Sequence, residues 1–252
     1  MRDADWMATL AATPADDRLR RRFADELAAA GDPWAELVAL QLGRVPGAPR
    51  LPSVREREAA RIDLHGPRWT GALVGRPGVR EVGFVRGAPG HLALDAAALR
   101  DGAARAAIAG LPIEHLDVVG LAGDVGLIAG LPGRERLVSL GLADGGLDDA
   151  GVAALAAFAW PALRWLDLAG NPVGRPGVEQ IAAASGLADL GFLGLERTGF
   201  DPREQPGSVD WDGTIVAIDL PAAGAELVER FGERTWLRLC AASYADYPPR
   251  RW

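Results

Sequence analysis

Apolar residues in the second half of this chain recur in one short pattern, L-x-x-L-x-L, with polar or small residues between them. It reads Ile113, Leu116 and Val118; then Leu137, Leu140 and Leu142; then Leu163, Leu166 and Leu168; then Leu187, Leu190 and Phe192. Ile215, Ile218 and Leu220 form a last copy, and Val79, Val82 and Phe84 a looser one upstream. Between the middle residues of successive copies lie 34, 24, 26, 24 and 28 positions. Alternation within each copy predicts a short strand. The stretches between predict helices over 95–109, 148–158, 176–184 and 225–231, with Gly110, Gly186 and Gly232 where C-caps fall. Residues 237–239 read as a closing strand.

A strand and a helix repeated every mid-twenties of residues is the signature of a leucine-rich repeat. One such unit cannot bury its apolar face alone; it needs stacked neighbours, and the stack offers a long concave sheet. The expected fold is therefore α/β: a leucine-rich-repeat solenoid of about six degenerate repeats over residues 76–240. Ahead of it, residues 1–75 read as a helical capping domain. Trp6, Met7 and Leu10 share one helical face, and Leu19, Phe23 and Leu27 another. Asp16 or Asp17 is placed to cap the second helix, and Asp32-Pro33 to open a third through Trp34, Leu37 and Val38. A Pro/Gly linker over 43–52 precedes a fourth helix, with Ser53 and Glu56 as a capping box. Residues 241–252 read as a tail, with Tyr244, Tyr247, Pro248-Pro249 and Arg250-Arg251 before Trp252.

Two stretches resemble known families. Pro14, Asp16-Asp17, Arg22, Ala24-Asp25-Glu26-Leu27, Gly31-Asp32-Pro33, Glu36-Leu37 and Leu40-Gln41 are similar to the bacterial repeat-companion domain, a helical module found in front of leucine-rich repeats. Glu26 stands where that family has a central Trp. Residues 146–171 (LDDAGVAALAAF, then LRWLDLAGN) resemble ribonuclease-inhibitor-like repeats. These resemblances imply the fold and a binding role, and no activity. The repeats also depart from the usual pattern. The position three after the last strand residue is commonly Asn, and only Asn171 matches; the others are Leu121, Gly145, Leu195 and Ala223.

Charge narrows the partner. The net charge is −7, and every basic residue is Arg. Residues 1–80 hold 13 Arg against 11 acids, and residues 81–252 hold 14 against 23. So acidic a repeat region repels a phosphate backbone, which argues against nucleic acid and for a protein partner with a basic surface. The residues MRDADWMATLAA carry two acids and no long apolar core, unlike a secretory leader. No run is apolar enough for a membrane span. Cys240 is the single cysteine, so no intrachain disulfide forms, which fits a bacterial cytoplasmic protein.

The x positions of each strand alternate onto the concave face. One column runs Gly83, Asp117, Gly141, Asp167, Gly191, Asp219, so Asp alternates with Gly. Strands about 4.8 Å apart put successive Asp residues roughly 10 Å apart, too far to share a metal ion. The column is either a solvated face with tolerated small residues or an acidic stripe whose Gly gaps admit a partner's side chains. The neighbouring column is Glu81, His115, Ser139, Trp165, Asp189 and Ala217. Trp165, with Arg164 and Asp167, has the composition of an interface hot spot, or else lies over the sheet to cover apolar surface. His115, near Glu114 and Asp117, reads as a surface ion-pair member. Residues 200–213 form the longest loop, with Trp211 within it. No H-E-x-x-H, no G-x-S-x-G and no phosphate loop is present, the last because it needs a Lys. The expectation is a non-enzymatic interaction module with no cofactor and no metal, binding through Glu81, His115, Asp117, Ser139, Arg164, Trp165, Asp167, Asp189, Asp219 and Trp211. The alternative is a regulatory or substrate subunit of an enzyme system, acted on through its tail or loop.

Overall fold

A computed structural model describes residues 3–43, 52–203 and 220–238. The chain is mixed α/β, with one six-stranded sheet and nine α-helices among the described residues. Helices α1 (Asp3–Ala12), α2 (Asp17–Ala29), α3 (Trp34–Leu42) and α4 (Pro52–Thr70) come first. The Asp16 carboxylate accepts from the Arg18 and Leu19 amides and so caps α2. Asp32 accepts from the Trp34 amide at the start of α3, where Pro33 sits at the cap itself. The apolar faces converge on Trp6, Leu10, Phe23, Trp34, Leu37 and Val38. A run of ring contacts carries this small core outward: Trp6 to Phe23 at 5.3 Å, Phe23 to Trp34 at 5.2 Å, Trp34 to Trp69 at 5.2 Å. It ends on Phe84 of the sheet, 5.8 Å from Trp69.

The strands are β1 (Val79–Val85), β2 (Ala88–Asp95), β3 (His115–Val119), β4 (Ser139–Gly141), β5 (Trp165–Asp167) and β6 (Phe192–Gly194), hydrogen-bonded in chain order. β1 and β2 form an antiparallel hairpin, and every later pairing is parallel. The hairpin turns at Arg86 and Gly87, both at positive φ (51° and 82°), as a two-residue turn between twisted strands requires. Only glycine fits the second position: a Cβ there would stand 2.5 Å from the Val38 Cα. The Gly87 amide donates to Gln41 Oε1, its carbonyl accepts from Trp34 Nε1 (both 2.7 Å), and the Arg20 guanidinium donates to the Val85 and Arg86 carbonyls. The first helices are thus fastened to the sheet at its only hairpin among the described residues.

Between parallel strands the chain crosses through helices: α5 (Gly102–Ala109), α6 (Gly126–Ala129), α7 (Asp149–Ala156) and α8 (Arg175–Ala183), with α9 (Ala222–Phe231) after β6. Leu92, Leu116, Leu140, Leu166 and Leu193 point from one face of the sheet into a core shared with Ile108, Val152, Leu155, Val178 and Ile181. Asp148 caps α7 through the Gly151 amide. Its neighbour Asp149 caps the next helix instead, accepting from the Gly174 and Gly177 amides at 2.7 and 3.0 Å. Gly174 is the N-cap of α8 and has no side chain to do this itself.

The observed register corrects two frames. The strand parallel to β3 is β2, with Leu92 beside Leu116, whereas Val82 belongs to the antiparallel β1. In the fifth copy Leu193, not Leu190, pairs with Leu166, so Phe192 and Gly194 take the places expected for Asp189 and Gly191. Leu92, Leu116, Leu140, Leu166 and Leu193 then advance by 24, 24, 26 and 27 residues. Two positions after the last apolar residue of each of the four units from β3 onward, the backbone is left-handed: Gly120 (71°), Asp144 (52°), Gly170 (69°) and Arg197 (57°). Asp144 and Arg197 pair at 3.1 Å, and Gly170 between them leaves the space they need. The new frame also puts Thr198, not Leu195, level with Asn171. Asn171 is buried; its amide donates to the Leu142 and Leu168 carbonyls and accepts from the Leu147 amide. Thr198 repeats part of this, donating to the Leu195 carbonyl at 2.7 Å. Residues 235–238 form a 3-10 turn rather than a strand, and Gly186 lies inside a 3-10 turn rather than at a C-cap, which falls at Ala184.

Removing the Asn171 side-chain amide leaves the buried Leu147 amide unpaired and takes one of two donors from each of the Leu142 and Leu168 carbonyls, which keep the Gly145 and Asn171 backbone amides. Asn171→Ala is expected to lower unfolding stability by about 2 kcal/mol in a denaturant titration. Thr198→Ala, at a half-buried position, should cost clearly less.

Candidate functional site

On the second face of the sheet the side chains form two columns. The first is His91, His115, Ser139, Trp165 and Phe192; the second is Ala93, Asp117, Gly141, Asp167 and Gly194. Glu81 and Gly83 of β1 extend them, opposite Ala93 and His91. The first column is more closed than expected. Trp165 is 1% exposed, its ring stacked on Phe192 at 5.7 Å and 20°. His115, Ser139 and Phe192 are buried as well. Trp165 is therefore no exposed anchor; two aromatic rings on adjacent strands cover one another. Nor is His115 a surface ion-pair member. Burial, then the nearby His91 and Arg86, hold it neutral, with its pKa lowered from 6.5 to about 3.

The second column borders a concavity of about 510 Å³ on the Glu81, His91, Asp117, Gly141 and Asp167 side of the sheet. His91 lies between two carboxylates, with Nε2 3.2 Å from Asp117 Oδ2 and Nδ1 4.0 Å from Glu81 Oε1. Glu81 is exposed and Asp117 half-buried. Asp167 is buried instead of lining an exposed row; its Oδ1 accepts from the Ala169 amide. The glycines in this column have a specific use. A Cβ on Gly141 would collide with the Asp117 carboxylate, and one on Gly194 would stand 2.5 Å from Asp167 Oδ1. Each Asp leans over the glycine of the next strand, so the gaps are filled from within the sheet. Val119, 39% exposed, and Ala143 add an apolar shelf to the same concavity.

Of the remaining expected site residues, Arg164 and Asp189 are exposed and pair at 3.6 Å just outside the columns. Asp219, Trp211, Cys240, the 200–213 loop beyond Arg203 and the 241–252 tail lie outside the described residues. The residues that sequence reasoning missed are His91, Ala93 and Phe192. The signal for the first two was Leu92, one 24-residue step before Leu116.

Beside the concavity, at the junction with the helices, sits a buried ion cluster. Glu114, 4% exposed, accepts from Arg86 at 2.6 and 2.7 Å and lies 3.5 Å from Arg20. Both guanidiniums also donate to the Pro14 carbonyl. Burial, then the charge of Arg86, lowers the Arg20 pKa to about 10. The cluster spends its donors on backbone carbonyls and one carboxylate, an arrangement that fastens elements together.

Among the described residues no helix is long and apolar enough to cross a membrane, and no group of three or more His, Cys, Asp or Glu is placed to hold a metal ion. No protein-family model, curated protein or solved structure matches the chain.

Two outcomes test this geometry. Below pH 6.5 the unfolded chain takes up a proton at His115 that the folded chain refuses, so the protein loses stability as pH falls toward about 3. His115→Gln should flatten the dependence of melting temperature on pH between 6.5 and about 5, above the range where carboxylates titrate. Gly141→Ala should displace the Asp117 carboxylate and cost about 1 kcal/mol. In an Asp117→Ala background the same change should cost nothing, a coupling that a double-mutant cycle reads directly.

Proposed function

We propose that the chain is a leucine-rich-repeat solenoid with a repeat-companion-like helical cap, and that it acts without catalysis by binding a protein that presents basic residues. The repeat reading is supported by anchors 24, 24, 26 and 27 residues apart in parallel register, and by Asn171 and Thr198 at matching turn positions. The binding reading rests on one observation. Among the described residues, Glu81 and Asp117 face a concavity in which His91 is their only ion-pair partner; Arg80, which also lines it, pairs with Asp95 instead. Beside them Val119 and Ala143 offer apolar surface. An arginine suits such a place, with its guanidinium on the carboxylates and its aliphatic stem on the shelf. Nucleic acid does not suit it, since the phosphates meet like charge. A cytoplasmic setting belongs to the same reading, supported by the single cysteine, Cys240.

The test is fluorescence anisotropy with a labelled arginine-rich peptide and a glutamate-rich control. The arginine peptide should bind more tightly at low salt. Glu81→Gln combined with Asp117→Asn should weaken it about tenfold. Equal affinity for both peptides, or no loss in the double variant, rules the concavity out as a basic-partner site.

A further inference from the structure

The described arginines are almost all engaged. Thirteen of them, including Arg80, Arg86, Arg100, Arg164, Arg175 and Arg197, form ion pairs beyond the Arg20–Glu114 contact. Arg20, Arg105, Arg134, Arg136 and Arg234 donate to backbone carbonyls. Apart from Arg55 on α4, the described arginines with neither kind of partner are Arg18, Arg21 and Arg22, all exposed. They stand at i, i+3 and i+4 on α2, on the side opposite the buried Phe23 and Leu27. One carboxylate, Asp25, shares that side and pairs with none of them. Asp17 and Glu26 flank the face four residues from Arg21 and Arg22, yet none of the three arginines has an ion-pair partner among the described residues.

The same chain carries the complement. Among the described residues, Glu81 and Asp117 have no arginine partner. Three cations thus lack a carboxylate on one surface, while on another two carboxylates share one histidine and lack an arginine, in a chain that pairs nearly every other described arginine. We infer that the α2 arginine face docks into the Glu81–Asp117 concavity of a second copy of this chain. This rests on the basic-partner reading of the concavity and names the partner. The two surfaces are different patches, so the contact is heterologous unless two copies exchange it reciprocally; it gives chains in the first case and a closed dimer in the second. In both cases it is electrostatic, and salt weakens it.

Sedimentation velocity on the full chain tests this. Average mass should rise with protein concentration at low salt and return to the monomer at high salt. Arg18→Glu/Arg21→Glu/Arg22→Glu should be monomeric alone, and so should Glu81→Arg/Asp117→Arg. Mixed in charge-intact pairing, where the unaltered concavity of the first meets the unaltered helix of the second, they should associate again. Melting curves matching the parent establish that each variant is folded; if the glutamate triple variant melts early, the glutamine version replaces it. A parent that stays monomeric at low salt overturns the inference, as does self-association that survives in either variant. An arginine-rich peptide that still binds through Glu81 and Asp117 in a monomeric parent leaves the basic-partner reading standing while removing the second copy as its partner.

Discussion

One turn governs how this molecule goes together. Arg86 and Gly87 must both adopt left-handed backbone conformations for β1 to reverse into β2. The Gly87 peptide is held on both sides, by Gln41 on its amide and Trp34 on its carbonyl. β2 is then the template on which β3, and through it every later strand, adds in parallel. Arg86 reaches from the turn to Glu114, at the entrance to β3. The Glu114 carbonyl in turn accepts from the amides of Val138 and Ser139 at the start of β4. A displacement at Gly87 would therefore be felt by the helices, by the hairpin that carries Glu81 and His91, and by the first two parallel crossings.

Much of the sheet could be read from apolar spacing, because β3, β4 and β5 each bury three leucine-type positions with nothing competing for the frame. Two places could not. Ahead of β3, Val79, Val82 and Phe84 fit the pattern better than Pro89-Gly90-His91-Leu92 does, yet only the second strand runs parallel to its neighbour. Periodicity reports that a strand exists and is silent on its direction. In the fifth unit, Leu187, Leu190 and Phe192 and the alternative Leu190, Leu193 and Leu195 both satisfy the template. Packing selects the second, since Leu190, Leu193 and Leu195 all enter the core while Phe192 covers Trp165 on the other face.

The open reading of Trp165 follows from that shift. With Asp189 in the column, Trp165 has a small polar neighbour and looks open; with Phe192 there it is stacked and closed. The Asp-Gly alternation was visible in the chain, but its meaning was not. The glycines are spaces for the preceding carboxylates, so they organise the face from within. What stays accessible is narrower than the sequence suggested: Glu81, His91, Asp117 and the Val119 shelf, at the hairpin end of the sheet.

The adjacent acids Asp148 and Asp149 make these units unlike beads on a string. The first serves its own helix and the second serves its successor, whose cap position is a glycine. Deleting the α7 unit would therefore leave the start of α8 without its anion, however well the strands still matched. The α7 unit could be copied in place and each copy would still cap itself, whereas a second α8 unit would follow a neighbour with no acid to lend, so the order of these two is written into which one completes the other.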